Sequence, residues 1–486
     1  MYKILKKSAL RNLIEPHFEK DIVKDTYEVI KINANKLLTH KRFDLAFKLL
    51  YLEMMNKNVK FAKEIYKEHI RAFSLGKFTE PGNENKNSVD RFIEEFHKTF
   101  EDIRTNGFDS SKTVIPLSKN GSIANGVHRV ASALYLGKDV DCVEIESANH
   151  IYDYKFFYSR NVSVEMLDIA ATKYIEYAKD IYVAFLWPTA KGNDAAAESA
   201  IPNIVYRKEI TLTTNGAHNL LSQIYYGEKW LGSIENDFKG SKGKLVECFK
   251  NFDPLRVIAF QANSLDEVIK IKDDVRAIFN VGKHSIHITD TKEEAIRVAK
   301  VAFNENSIHF LNHAKPNKYI STHKKIKKFK VFLEKNQLNS KDIVLDSGIV
   351  LSAYGLREAS DIDYFLDDNK KLKYKDEEFE YHDDQLEYHD EEKLELIYNP
   401  KNYFYFKDLK FLAFKQLYRM KKNRNEEKDR NDYKMMEALM ENNGFKKFIN
   451  KWKQKFFYGR IKAKFKLLKF LDSLGLLEKI KKIVRG

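Results

Sequence analysis

Two aspartates separated by one apolar residue are the side chains of this chain best suited to chemistry: Asp361 and Asp363, with Ile362 between them. In an extended strand alternate side chains share a face, so both carboxylates can point the same way while Ile362 enters the core. Adjacent carboxylates repel each other unless a cation lies between them, and a hard divalent ion such as Mg²⁺ prefers oxygen ligands. Upstream, Ser347-Gly348 is expected to open a helix whose first N–H groups suit a phosphate. The segment therefore combines the parts needed to transfer a phosphoryl or nucleotidyl group.

This segment resembles the DNA polymerase beta-like nucleotidyltransferases. Their signature is a small-residue turn, a helix, and then Asp-x-Asp or Asp-x-Glu on the next strand. The resemblance covers about residues 325–440, and the run from Gly355 through Arg357 to Asp363 is similar to that family's approach to its metal pair. The turn here reads Ser-Gly where the family usually has Gly-Ser. Fukutin-type phosphotransferases, which also place an Asp-rich metal site after such a helix, are a related alternative.

The resemblance implies roles for individual residues. It makes Asp361 and Asp363 the metal-binding and catalytic pair, and it assigns phosphate binding to three residues: Ser347, Gly348 and Arg357. Glu395, in a segment that alternates as a strand does, is the expected third carboxylate, acting as metal ligand or base. The segment 428–432 resembles the C-terminal helices packed beside such a site. Lys410 or Lys415 is expected to reach a triphosphate, and a role as surface lysines is the alternative. A solvated Asp-Ile-Asp at a strand edge is the alternative for the whole motif.

A second anion-binding motif, Gly126-Val127-His128-Arg129, follows a short apolar strand at 114–117 and opens a helix of small residues. This block resembles the ParB/sulfiredoxin-like fold over about residues 75–150. In that fold the turn and the start of the helix bind nucleotide phosphates or a phosphorylated partner. The physical reason is sound, because exposed N–H groups, the positive helix end and a bidentate arginine converge on an anion.

For this module the resemblance implies that Gly126, His128 and Arg129 bind a nucleotide, CTP or ATP, either as a sensor or as a kinase for a small molecule. Glu80 and Glu84 are distant candidates for an activating acid. No cysteine lies beside the motif and no basic helix-turn-helix follows it, so thiol reduction and DNA partition are disfavoured. A merely structural arginine-bearing turn remains the alternative.

The region between these modules carries one candidate residue, His287. It alternates with Thr289 on a predicted strand, with Lys272 and Arg276 nearby, which suits an acid–base group or a phosphate contact. The alternative is a satisfied core histidine before the capped helix that is expected from residue 292. No Cys or His at zinc spacing accompanies His287, so zinc is not expected.

The net charge of +15 is concentrated at one end of the chain. Residues 444–486 hold fourteen basic and two acidic residues, with apolar side chains at three- and four-residue steps. Such a basic amphipathic helix predicts contact with an anionic membrane surface; docking onto the acidic run 376–392 and contact with nucleic acid phosphates are rivals. Because the rest of the chain is nearly neutral, DNA is not an expected partner and RNA is disfavoured.

Length and composition predict a multidomain protein of α/β and α+β class. Apolar patterns predict an amphipathic helix over 89–105, buried strands at 181–188 and 257–260, and a helix from Tyr403 to Met420. The expected units are a helical N-terminal segment (1–75), the ParB/sulfiredoxin-like module (76–150), a mixed α/β middle domain (151–322), the nucleotidyltransferase-like domain (323–443) and the basic tail (444–486). Two cysteines are too few for a disulfide framework and are expected to be buried thiols. No run of eighteen apolar residues exists. The expected location is cytoplasmic, with the tail allowing peripheral attachment to the inner face of the membrane.

The resemblances together predict a Mg²⁺-dependent nucleotidyl- or phosphoryl-transferase that uses ATP or CTP and a small-molecule or sugar-linked acceptor. Such a pairing of modules is similar to proteins of bacterial capsule and lipopolysaccharide synthesis. Two alternatives stay open. One is a non-catalytic nucleotide-sensing regulator, and the other is an RNA-modifying nucleotidyltransferase that uses the basic tail.

Overall fold

The computed structural model shows a mixed α/β protein with three separate sheets. It describes residues 3–80 and 85–441, together with 459–460, 463–464, 466–474 and 476. Glu84 and most of the basic tail lie outside the described residues. None of the helices in the described part of the chain has both the length and the apolar character needed to cross a membrane.

The first sheet has the strand order β1-β2-β4-β3. Its elements in chain order are β1 (Lys3–Lys6), α1 (Lys7–Arg11), β2 (Thr26–Asn33), α2 (Asp44–Met54), α3 (Val59–Ser74), α4 (Val89–Asn106), β3 (Ile115–Leu117), α5 (Val127–Tyr135) and β4 (Asp139–Glu144). The prediction of an all-helical segment over 1–75 is wrong, because β1 and β2 lie there and β2 pairs with β4. Tyr27 and Val29 alternate into the core, as a half-buried strand requires.

Helix α4 confirms the helix expected over 89–105. Ser88 accepts a hydrogen bond from the Arg91 N–H at its start, and Phe92, Phe96 and Phe100 are buried along one stripe. A serine cap and apolar residues at four-residue steps are sufficient to fix such a helix. It packs on α5, the helix that follows the Gly126 turn.

The second sheet is antiparallel throughout, with the order β6-β7-β5-β8. Its elements are α6 (Tyr154–Tyr158), α7 (Val164–Tyr177), β5 (Ile181–Leu186), α8 (Asp194–Ser199), β6 (Ile204–Ile210), α9 (Thr214–Ile224), α10 (Ser241–Cys248), β7 (Leu255–Gln261), α11 (Leu265–Phe279), β8 (Ile286–Ile288), α12 (Lys292–Ala302) and α13 (Glu305–His313). The buried strands expected at 181–188 and 257–260 are confirmed as β5 and β7.

The third sheet has five strands in the order β11-β10-β9-β13-β12. Its elements are α14 (Ile320–Asn336), β9 (Ile343–Asp346), α15 (Gly348–Ala353), β10 (Ile362–Leu366), β11 (Phe379–Tyr381), α16 (Lys393–Tyr398), β12 (Tyr403–Phe406), β13 (Leu409–Leu412), α17 (Phe414–Arg424) and α18 (Glu427–Met440). The single helix expected from Tyr403 to Met420 is wrong. A β-hairpin of β12 and β13 occupies the first half, and the four consecutive aromatic residues of β12 are largely buried. Aromatic residues favour strands.

One continuous apolar core joins the three sheets, with buried side chains contributed by the first, second and third parts of the chain. Ion pairs cross the same seam. Lys173 of α7 lies 2.6 Å from Glu53 of α2 and 2.5 Å from Glu176, and Lys341 lies 3.6 Å from Glu176. Both cysteines are free and buried, as expected: Cys142 and Cys248.

Candidate functional site

The turn between β9 and α15 has an unusual backbone. Ser347 has φ 57° and ψ −123°, a region that favours glycine and costs a serine of the order of 1–3 kcal/mol. Its side chain is buried and lies close enough to Asp363 to lower the pKa of that carboxyl. A Cβ on Gly348 would lie 3.6 Å from Nη1 of Arg357, which places that guanidinium beside the turn. The structure therefore brings Ser347, Gly348, Arg357 and Asp363 together.

Three carboxylates meet beside this turn. Strands β9 and β10 are antiparallel, with Asp363 directly opposite Asp346, and opposite residues project to the same face. Ile362 is fully buried, and Asp361, which directly precedes β10, lies close enough for its charge to raise the pKa of Asp363. Asp346, at the end of β9, is the member that the sequence analysis missed.

Asp346 is ionised and held by two histidines. Nδ1 of His382 lies 2.8 Å from its Oδ2, and Nε2 of His389 lies 3.4 Å from the same atom. Burial opposes the charge on Asp346, but the hydrogen bond from His382 and the nearby ring of His389 outweigh it and hold the pKa of this carboxyl below its ordinary value. The pKa of His382 is raised in turn, because the bond to Asp346 outweighs its own burial.

Asp363 is in the opposite situation. Burial raises its pKa to about 6, and the negative charges of Asp361 and Asp346 add to that effect against the opposing influences of His382 and Ser347. A carboxylate that is costly to ionise, next to two others, is a group that gains from a bound cation. The electrostatics of the site therefore favour a cation beside Asp363.

Arg357 is tied to the C-terminal helices. Its Nε and Nη2 donate to the two oxygens of Asp432, at 2.7 and 3.0 Å, in a bidentate pair. Asp432 also pairs with buried Lys421 at 2.9 Å. A phosphate would have to share Arg357 with Asp432, so α18 fixes the position of the guanidinium over the turn.

Glu395 does not lie on a strand. It is on α16, buried, with Oε2 accepting a hydrogen bond from Nδ2 of Asn399 at 2.8 Å. The alternation of Leu394, Leu396 and Ile397 also fits one buried helical turn, which is the reason the strand prediction is wrong. Among the described residues, no ion pair or hydrogen bond joins Glu395 to Asp361 or Asp363.

Lys410 lies on β13 with its ammonium turned into the protein. It donates to the backbone oxygens of Lys341, at 2.6 Å, and Ile397. Burial holds its pKa well below the ordinary value of a lysine. Its described contacts are thus with the seam between the sheets and not with the aspartate pair.

The fit to Mg²⁺ rests on two carboxylates. Within the residues that the structure describes, no group of three or more His, Cys, Asp or Glu side chains is arranged to hold a metal ion. Magnesium sites that handle nucleotides commonly use one or two carboxylates, completed by substrate phosphates and water. Asp361 and Asp363 fit that arrangement, whereas Asp346 is already committed to His382.

The second predicted motif borders a cavity of about 690 Å³. Gly126 has φ 86°, and a Cβ there would lie 2.8 Å from both Nη2 of Arg129 and Cδ1 of Ile115, so only glycine fits. Arg129 lies 3.3 Å from Glu15, and His128 is hydrogen-bonded to the hydroxyl of Tyr66 at 2.8 Å. Burial and the charge of Lys48 hold the pKa of His128 well below its ordinary value, so this imidazole is neutral.

Buried charges also line this cavity. Arg42 and Asp44 form a bidentate pair at 2.9 and 2.8 Å, and Nζ of Lys48 lies 3.4 Å from Asp44 and 3.0 Å from Nε2 of His69. Burial lowers the pKa of Lys48 to about 8, with Asp44 opposing and Arg42 assisting that shift. At the rim, Glu80 pairs with Lys86 at 2.6 Å. Basic side chains therefore converge on the cavity from α2 and α5.

His287 lies on β8, in a different region. Its Nε2 is 3.4 Å from Glu294, and its ring packs against Tyr225. It borders a cavity of about 730 Å³ whose charged lining is mostly acidic. Thr289 does not share this surface, because it is fully buried and accepts a hydrogen bond from the Val183 N–H.

The residues that sequence reasoning missed left weak signals. Asp346 directly precedes the Ser-Gly turn, and a strand that ends there must place its last side chain beside the turn. His382 and His389 are the histidines within the acidic run 376–392. If that whole run is interpreted as a solvated acidic surface, neither histidine is singled out. Asp432 lies in a segment that had been associated with helices packed beside the site, but its pairing with Arg357 has no local sequence signal.

Comparison with models of protein families, with curated proteins and with solved structures finds no match to this chain.

Proposed function

We propose that this protein is a Mg²⁺-dependent nucleotidyl- or phosphoryl-transferase whose site lies at the end of β9 and the start of β10. One observation carries the proposal: Asp363, paired in register with Asp346 and close to the strained Ser347 turn, is a carboxylate whose pKa is raised to about 6. Strained backbone and shifted pKa values concentrate at functional sites.

The proposed roles follow from position. Asp361 and Asp363 would hold Mg²⁺, which when bound neutralises the developing charge on the transferred phosphoryl group. Ser347 and Gly348 would lie along the phosphates, with Arg357 beside them and fixed by Asp432. His382 stabilises the ionised carboxylate of Asp346. Asp363 lacks comparable compensation, so a bound cation would stabilise its charge.

The acceptor we propose is a hydroxyl of a small molecule or of a sugar-linked precursor in bacterial surface-polysaccharide synthesis. The support for this part is the resemblance of the two sequence motifs to such proteins. The alternatives are an RNA acceptor and a purely regulatory role, and both predict different behaviour of the aspartate pair or the tail.

The test is a thermal-shift panel of ATP, CTP, GTP and UTP, with and without Mg²⁺, on the wild type and on the variant Asp361→Ala/Asp363→Ala. A nucleotide at 100 times its dissociation constant adds about 2.7 kcal/mol of stability. We expect a Mg²⁺-dependent shift that the double variant loses. Absence of any nucleotide shift in the wild type would refute nucleotidyl transfer.

A second nucleotide-binding function is favoured by the cavity at Gly126. Arg129 from α5, Lys48 from α2 and Arg42, which precedes α2, line one concave space, together with the Lys86–Glu80 pair. We propose that this cavity binds ATP or CTP, as a sensor or as a small-molecule kinase. A shift in the same panel that survives Asp361→Ala/Asp363→Ala would support it, and Arg129→Gln should then remove the remaining shift.

A further inference from the structure

A third cavity lies at the seam between the second and third sheets. It shares no lining residue with the cavity at Gly126, and neither Asp361 nor Asp363 lines it. It has a volume of about 150 Å³ and is enclosed by α9, α12, α14 and the turn of the β12–β13 hairpin. A cavity of that size is sufficient for one six-membered ring. It lies at the end of the third sheet away from Asp346, because β13 begins at this turn and runs parallel to β9.

The hairpin turn that enters this cavity is built from unfavourable residues. Lys407 and Asp408 have φ 50° and 62°, and a two-residue hairpin turn with positive φ at both positions favours Asn-Gly. Lysine has no local reason to occupy this position. Its ammonium lies 4.9 Å from the centre of the Tyr226 ring, over the cavity.

Lys407 also has no anionic partner. Among the described residues no carboxylate lies within 4.0 Å of its Nζ, whereas Asp408 is engaged by Lys330 at 3.3 Å. Burial and the nearby charge of Lys330 lower the pKa of Lys407, against the opposing effect of Asp408. A half-buried ammonium without a partner is costly, and an anionic ligand would relieve that cost.

The rest of the lining is cationic and aromatic. Arg297, Lys300 and Lys330 contribute positive charge, Asp408 is the one acidic group in the described lining, and Tyr405 and Phe406 form an apolar wall. The neighbouring acidic cavity at His287 meets this one at Arg297 and Asp408. Arg297 lies 4.0 Å from Glu294, Lys300 lies 3.4 Å from Glu176 and Lys330 lies 3.3 Å from Asp408. Lys407 is therefore the lining cation that lacks a carboxylate partner among the described residues.

His323 adds a hydrogen-bond acceptor. This buried ring lines the cavity and bonds the Pro316 carbonyl through Nε2 at 2.9 Å, so Nε2 must carry the proton. Burial and the charge of Lys407 lower its pKa to about 4, so the ring is neutral and Nδ1 is an acceptor. Nδ1 has no hydrogen-bond partner among the described residues. A ligand hydroxyl would satisfy it.

We propose that this cavity binds a small organic anion that carries a flat ring and a hydroxyl group. Lys407 would meet the anionic group, the aromatic wall the ring, and His323 the hydroxyl. The site is separate from the transfer site, so its occupant is a ligand in addition to the nucleotide and the acceptor.

The test is isothermal titration calorimetry of the full chain with 4-hydroxybenzoate as the probe. Two variants of the same turn serve as matched opposites. Lys407→Asn removes the ammonium and suits positive φ, and should weaken binding about tenfold or more. Asp408→Asn also suits positive φ, but it removes the carboxylate that competes with the anionic probe for Lys330. This variant should bind the probe at least as tightly as the wild type.

Three further ligands separate the contributions. The neutral 4-hydroxybenzamide lacks the negative charge, benzoate lacks the hydroxyl group, and inorganic phosphate lacks the ring. Each should therefore bind more weakly than 4-hydroxybenzoate. Asp361→Ala/Asp363→Ala should leave probe binding unchanged. No binding of 4-hydroxybenzoate to the wild type, equal binding to Lys407→Asn, or tighter binding of phosphate than of the probe would overturn the proposal.

Discussion

Asp346 and Asp363 face each other across β9 and β10, yet their surroundings shift their pKa values in opposite directions. Two histidines hold Asp346 in its ionised form. Asp363 receives no comparable compensation, and burial raises its pKa to about 6. The pair thus combines one fixed charge with one carboxylate that is stabilised either by a proton or by a cation.

This difference predicts that Asp363→Asn stabilises the metal-free protein at neutral pH. An acid whose pKa is raised in the folded state lowers the free energy of unfolding at pH values above that pKa. The loss is up to about 3 kcal/mol for a pKa difference of about two. Denaturant unfolding should show the gain at pH 7.5 and its disappearance below pH 4. Glu377→Gln, at an exposed position, is the control, and equal stability of Asp363→Asn and wild type at pH 7.5 would contradict the raised pKa.

Metal binding should depend on pH around the same value. A proton on Asp363 competes with Mg²⁺, so the apparent affinity should fall about tenfold for each pH unit below about 6 and level off above it. The measurement is a Mg²⁺ titration of thermal stability in the presence of nucleotide at several pH values. A flat profile between pH 5 and pH 7 would show that Asp363 is not a ligand.

His382 should be needed for stability. Removing it by His382→Ala leaves the buried Asp346 carboxylate with only His389 nearby, and we expect a loss of about 3 kcal/mol. His382→Asn, which can still donate a hydrogen bond, should lose less. Because the pKa of His382 is raised, its charge contributes stability below about pH 6.5, and that contribution is lost as pH rises through the folded pKa. A difference between wild type and His382→Ala that grows with rising pH would contradict this assignment.

Two substitutions of Ser347 separate backbone strain from its hydroxyl. Ser347→Gly should relieve strain of about 1 kcal/mol, which offsets the loss of the buried hydroxyl beside Asp363. Ser347→Ala keeps the strain and also loses the hydroxyl, so it should be the less stable of the two. Chemical denaturation ranks them, and an alanine variant as stable as the glycine variant would show that the turn is not strained.

The turn at Gly126 allows a closely matched comparison. Gly126 and Gly121 both have positive φ, 86° and 75°, so alanine costs similar backbone energy at each. Only at Gly126 would the new Cβ meet Arg129 and Ile115, at 2.8 Å, whereas Gly121 has no atom within 4 Å. Gly126→Ala should therefore destabilise the protein more, by at least about 1 kcal/mol, and displace Arg129 from the cavity. Equal unfolding midpoints for the two variants would contradict the contact.

The sequence predicted the strand–turn–helix–strand unit around Ser347 because its signals are local. A buried run, a Ser-Gly turn and Asp-Ile-Asp alternation each fix their own few residues. Ser347 and Asp363 are then in contact because β9 and β10 pair. Asp346 was missed because its role depends on His382, which is brought to it by β11.

The wrong secondary-structure predictions have a common physical cause. A short apolar segment fits both the two-residue period of a strand and the 3.6-residue period of a helix. Tyr403 to Phe406 is a continuous aromatic run without a period of its own, and the Lys407-Asp408 turn that follows it is not a typical hairpin sequence. Glu395 lies in a six-residue helix, too short for its period to differ from alternation. Thr26–Asn33 alternates clearly as a strand, and the helical pattern that follows it masked this.

The shared interior has a consequence for how the chain can be divided. Side chains from every sheet contribute to one core, and Lys173, Glu176 and Lys341 cross its seam. A fragment cut at residue 323 would expose apolar surface on both pieces and leave charges without their partners. The whole chain should therefore unfold in a single cooperative thermal transition. A gene segment that encodes one of the sites could not be moved to another protein without also rebuilding the interior that the sites share.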